Sequence, residues 1–220
     1  AQVALIAPEI ESFIKKIFPG KKVEITGKFK QQFEVINELE LLVEAAVETI
    51  ENTLAVTEGF SLIEKSEAYL FYSTSIGIHV KLFSSDNEHF TDNLVKTSSS
   101  GDFYKRLRAS FTNPVINITD EAQYFSAAGI GFIPAALRDE PAIIDMAKKG
   151  PLPAVIHPGD IRGIIHCHSN WSDGSNTLEE MAKAAIDRGL EYLVISDHSK
   201  SAFYAQGLQE EKIREQHRHI

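Results

Sequence analysis

Three short stretches near the C-terminal end carry residues that can hold a metal ion: His166-Cys167-His168, Ser172-Asp173-Gly174 and Asp197-His198. In an extended strand, residues two apart point to the same side, so His166 and His168 can offer both imidazoles to one ion while Cys167 faces away. Asp173 adds a carboxylate from a turn five residues on, and His198 adds a third imidazole after the next apolar run. Each piece alone has an ordinary reading, since His-x-His is commonly surface chemistry and Ser-Asp-Gly is commonly just a turn. Three His and one Asp at the ends of successive strands are harder to attribute to packing. They point to divalent metal, and imidazole with carboxylate suits Zn, Mn or Fe without choosing among them.

The elements that must position these residues are legible around them. Residues 161–166 read as a strand and 192–196 as a second. Between them, residues 177–188 read as a helix, with Thr177 and Glu180 spaced as a capping box and Gly189 as its terminating glycine. Strand, helix, strand in so short a span predicts a βαβ unit of a parallel sheet or barrel, whose C-terminal strand edge is where catalytic residues collect.

Upstream the pattern differs. Ile6, Ile10, Phe13, Ile14 and Ile17 recur at helical spacing and stop at Pro19-Gly20, predicting an amphipathic helix. Segments 22–26, 33–43, 68–73 and 76–83 are rich in Val, Ile, Phe and Tyr and read as strands, with a helix over 46–52. The Ser-rich stretch Thr97 to Asp102 should cap a helix running to Ser110, followed by short helices among Pro- and Gly-punctuated loops. Pro151, Pro153 and Pro158-Gly159 mark a boundary before the βαβ unit. The expectation is an α+β chain of three parts: residues 1–96 with a mixed sheet, a small helical part at 97–152, and the βαβ start at 153–220.

Composition narrows the function classes. With 22 Lys and Arg against 31 Asp and Glu, the net charge of -9 argues against a broad phosphate-tracking surface, although a local basic patch such as Lys105, Arg106 and Arg108 stays open. One cysteine excludes an internal disulfide and fits a reducing cytoplasm. The first residues mix Glu9, Glu11, Lys15 and Lys16 into the apolar pattern, unlike a signal peptide or a spanning helix, so no membrane partner is expected. A start without Met and an end inside a helical pattern read as cuts from a longer protein.

The run from Asp160 to Gly174, Asp-Ile-Arg-Gly-Ile-Ile-His-Cys-His-Ser-Asn-Trp-Ser-Asp-Gly, with Val194-Ile195-Ser196-Asp197-His198-Ser199, resembles the start of a PHP (polymerase and histidinol phosphatase) domain. The variant it is most similar to is the one fused behind bacterial family X DNA polymerases. That resemblance implies that His166 and His168 bind one metal and that Asp173 and His198 help bind another, in a trinuclear centre that activates water for phosphoester cleavage. Ile164 departs from the acid many relatives carry there. The family completes its centre from later strands of a β/α barrel, so the chain's partner would be the remainder of the PHP domain, and any metal held here should be held weakly.

The same resemblance places a nucleotidyltransferase-like palm over 1–96 and a thumb over 97–152, with departures at the positions that matter. Gly27-Lys28 stands where the family has Gly-Ser, the basic cluster is reduced to Lys30, and Glu38-Leu39-Glu40 replaces Asp-x-Asp. Lys81 falls where the third metal carboxylate belongs, and Val95, Lys96 and Ser98 replace the thumb residues that line the nucleotide pocket. A lysine ammonium repels Mg, and the longer Glu spoils octahedral geometry, so Mg at this site is not expected. Glu38 and Glu40 also have a plain reading as a solvated strand face. Two functions follow as expectations: a metal-dependent phosphoesterase, acting on DNA 3′ ends, with an inactive polymerase part; or a non-catalytic scaffold that docks DNA ends or protein. An active DNA polymerase ranks behind both.

Overall fold

The computed structural model describes residues 2–112 and 114–220. The described residues up to Pro153 make one compact unit and Ala154–Ile220 a second. The first opens with helix α1 (Gln2–Ile17), which turns Ala7, Ile10, Ile14 and, just past its end, Phe18 into the core. Gly20, at φ +74°, lets the chain reverse after Pro19. There follow β1 (Val23–Thr26), a single helical turn α2 (Gly27–Lys30), β2 (Glu38–Val43), α3 (Val47–Ala55), β3 (Phe60–Lys65), β4 (Tyr69–Thr74) and β5 (His79–Ser84).

These strands form one mixed sheet in the order β1-β2-β5-β4-β3, with β2 and β5 parallel and every other pair antiparallel. One face buries Leu39, Leu41, Val43, Leu70, Tyr72, Val80 and Leu82 against α1 and α3, whose Ile50 and Leu54 complete the layer. The strand expected over 33–43 is shorter in the structure. Phe33 and Val35 are 44% and 76% exposed, because α2 and a left-handed Gln32 (φ 61°) turn the chain before it joins β1 and β5 at Glu38. Sequence reading omitted β3, an edge strand exposed along most of its length and bulged between Leu62 and Glu64; without a buried face it shows no alternation.

Helices α4 (Phe90–Thr97), α5 (Gly101–Arg108), α6 (Glu121–Ala127) and α7 (Ile143–Lys149) build a second core from Val95, Phe103, Leu107, Tyr124, Phe125, Ile133 and Ile144. The Ser-rich stretch caps α5 as expected, Ser100 Oγ accepting from the Phe103 N–H at 3.2 Å. Arg138 is fully buried here, its Nε donating to Ile133 O at 2.8 Å, one terminal nitrogen to Ser98 Oγ at 3.1 Å and to Glu121, and its guanidinium lying 4.9 Å from the Phe125 ring.

In the second unit, β6 (Gly163–Cys167), α8 (Leu178–Asp187) and β7 (Tyr192–Ile195) form the expected βαβ unit with β6 and β7 parallel, and α9 (Glu210–His219) follows. Thr177 and Glu180 make the capping box, each side chain bonded to the other's backbone N–H, and Gly189 adopts φ +71° after the helix. No helix among the described residues is long and apolar enough to cross a membrane.

Candidate metal centre

Strands β6 and β7 run in register at Gly163–Tyr192 and Ile164–Leu193 and again at Cys167–Ile195, so β6 carries one extra residue in between. The bulge centres on His166, whose φ of 61° is left-handed and costs a non-glycine residue energy. Simple alternation therefore does not describe this strand. Bulges re-aim side chains beside functional sites, and here His168, just past the strand, gathers with Asp173 and His198 while His166 stays outside that group. Its ring centroid is 5.6 Å from that of His168.

The donor atoms of His168, Asp173 and His198 all lie within 4.8 Å of one another. Asp173 sits between the imidazoles, Oδ1 at 3.2 Å from His168 Nδ1 and Oδ2 at 3.5 Å from His198 Nε2, and the two rings stack obliquely at 4.4 Å. His168 Nδ1 is buried yet makes no hydrogen bond. A buried polar atom without a partner costs about 1–3 kcal/mol, so an imidazole and a carboxylate converging without a proper hydrogen bond fit a shared cation.

Asp197 holds this arrangement together. Its carboxylate accepts from the Ser169 N–H at 2.7 Å, Ser169 Oγ at 2.5 Å, Ser172 Oγ at 2.6 Å and Gln216 Nε2 at 2.5 Å, tying the loop that carries Asp173 and helix α9 to the end of β7. Burial alone would raise its pKa, but the donors from Ser169, Ser172 and Gln216 outweigh it and hold the carboxyl below its ordinary value. In the loop itself Gly174 is indispensable: a Cβ there would meet His168 O at 2.0 Å. Sequence reasoning took Asp197 only as the neighbour of His198. No spacing rule joins it to serines more than twenty residues upstream or to Gln216 on a later helix. Trp171 packs its ring 5.5 Å from that of His219 of α9.

Of the other candidate residues, Glu38, Glu40 and Lys81 lie on the mixed sheet. Glu40 and Lys81 are cross-strand partners on β2 and β5, and Glu38 pairs with His79. The Glu40 carboxylate reaches back over α2 and accepts from the Lys28 N–H at 2.9 Å; a Cβ at Gly27 would lie 1.7 Å from its Oε2. Burial pushes the Glu40 pKa up, opposed by the Lys28 N–H and reinforced by the charge of Glu38. Lys81 directs its ammonium over Tyr69 at 4.5 Å, with Phe71 and Phe83 within 6 Å. Val95 is buried in the helical core and Ser98 receives Arg138.

Residues 165–215 match the PHP domain family. Along 98% of its length the chain also aligns with the DNA polymerase/3′-5′ exonuclease PolX of Bacillus subtilis (strain 168), at 25% identity over 235 residues. The chain resembles PolX. It spans about two fifths of that relative, 41% of its length. The match to PolX covers both units, and the PHP match falls on the second, where His168, Asp173 and His198 converge.

Proposed function

We propose that the protein to which this chain belongs is a metal-dependent phosphoesterase of the PHP class that works on nucleic-acid 3′ ends. The convergence of His168, Asp173 and His198 around a buried, unbonded Nδ1 carries the reading. In it, residues 1–96 are a polymerase-like palm, 97–152 a thumb, and 153–220 the opening of a PHP β/α barrel, with His166 joining the metal ligands. When bound, divalent ions supply activation of water and neutralisation of phosphate charge. The chain's own groups do the rest: His168, Asp173 and His198 hold the ions, and Asp197 orients their loop through the two serines. Hydrolysis forms one P–O bond from water, breaks the P–O bond to the departing ester oxygen, and leaves the proton on that oxygen. The name of the relative, a polymerase and 3′-5′ exonuclease, supports placing the scissile bond at a 3′ end.

The palm is inert in this reading. Glu40 occupies the Gly27-Lys28 backbone where the resemblance would place a nucleotide triphosphate, and Lys81 is held by aromatic rings in place of a metal carboxylate. Those contacts favour a scaffold role for this unit within the same protein. The test is hydrolysis of a single-stranded oligonucleotide by the whole protein with added Mn or Zn, beside a nucleotide-incorporation assay. Turnover that falls at least a hundredfold in His168→Ala, without template-dependent incorporation, is the expected result. Hydrolysis unchanged in His168→Ala, or incorporation lost on Glu38→Ala with Glu40→Ala, would overturn it.

A further inference from the structure

A short loop follows His198 with an unusual distribution of side chains. Its small residues Ala202 and Ala205 and the larger Leu208 are buried, Gly207 packs so closely that a Cβ would meet Ser199 O at 1.9 Å, and Ser199 bridges Leu208. Its two large aromatics face outward, Phe203 at 86% and Tyr204 at 78% exposure. The loop is thus pinned by its small residues while holding two rings in water, against the ordinary tendency of such rings to be covered. Tyr204 lies 6.2 Å from the His198 ring and Phe203 stands edge-on to Tyr204 at 5.9 Å, so the rings continue directly from the candidate metal centre.

Resting on the phosphoesterase reading above, we propose that Phe203 and Tyr204 form a stacking platform for an unpaired base at the 3′ end of a nucleic-acid strand, placing its terminal phosphoester over the metal cluster. Stacking suits this surface better than a charge-tracking groove, because the chain is acidic and a neutral ring face accepts any base without a basic patch. Trp171, the other aromatic of the site, is engaged with His219.

The probe is a short oligothymidylate carrying 2-aminopurine at its 3′ terminus, titrated into the chain, with fluorescence quenching as the readout. We expect saturable quenching that weakens about tenfold in the Phe203→Ala, Tyr204→Ala double variant and persists in Tyr204→Phe, which keeps the ring. Unchanged affinity in the double variant, or no quenching by the unaltered chain, overturns the platform. So does a lowered unfolding temperature with unchanged affinity, which would show that polypeptide covers the rings. His168→Ala should abolish hydrolysis in the whole protein. Quenching without any hydrolysis would refute the phosphoesterase reading and spare the platform, and hydrolysis of bis-p-nitrophenyl phosphate with no quenching would do the reverse.

Discussion

Asp197 receives more hydrogen bonds than any of the residues it orients, and replacing it separates positioning from ligation. Asp197→Ala strands the hydroxyls of Ser169 and Ser172 and frees α9, and bonds to a charged acceptor contribute about 1.5–3 kcal/mol each without adding fully. We expect a loss of about 3 kcal/mol in the second unit, read by denaturant unfolding, together with at least tenfold weaker metal binding. Glu40 makes an opposite case. Its pKa is raised by burial, so the protonated form is favoured on folding and stability declines as pH rises past the ordinary value of 4.5 toward the folded one. Glu40→Gln keeps an acceptor for the Lys28 N–H and removes the buried charge. Its unfolding temperature should exceed that of the unaltered protein at neutral pH and converge with it in acid; a lower value at neutral pH would contradict this. The four metal candidates were legible from the sequence as histidines and a carboxylate at the ends of successive strands, read as one pair at His166 and His168 and another at Asp173 and His198; in the structure His168 gathers with Asp173 and His198. The break at His166 was not, since a one-residue bulge leaves no mark in residue types.

The elements record the same division. The capping box of α8 and the Ser100 cap of α5 are local hydrogen-bond patterns, and both appear in the structure where Thr177-Glu180 and the Ser-rich stretch implied them. Thr177→Ala should cost about 1 kcal/mol of stability and speed amide exchange in the first turn of α8, without altering the mixed-sheet unit. By contrast, β3 is an exposed edge strand and α4 is built from the weak helix formers Thr, Asp, Asn and Val. Phe90, Leu94 and Val95 recur there at helical spacing, but over eight residues the pattern is too short to stand out, and their tertiary packing settles α4. Between α2, α6 and the loop after Ile133, Lys30 pairs with Glu121 at 2.8 Å and Glu121 with the fully buried Arg138. Burial opposes the charge on Glu121, yet Arg138 and Lys30 outweigh it and hold its pKa below the ordinary 4.5. A depressed folded value means this contribution is present above 4.5 and lost as pH falls through the folded pKa. Glu121→Gln leaves a buried guanidinium without its counter-charge. It should cost about 3 kcal/mol at neutral pH and flatten the acid limb of the unfolding profile.

Across the chain, two compact units share one polypeptide. Damage in one should register in that unit's unfolding: Glu121→Gln in the mixed-sheet unit, Asp197→Ala in the βαβ unit. The departures at Lys28, Glu38, Glu40 and Lys81 remove chemistry from the first unit in our reading, while the resemblance to PolX extends through both. The same reading leaves the candidate cluster at the end of β6 and β7 as the reactive part. The most direct measurement is the metal bound at equilibrium dialysis against Mn or Zn, which registers weak binding, for the chain and for its His168→Ala and Asp173→Ala variants. Retention of bound metal by the unaltered chain and its loss in both variants is the expected result. A metal-free chain after equilibration, or equal retention in all three, would contradict a metal centre built on His168, Asp173 and His198.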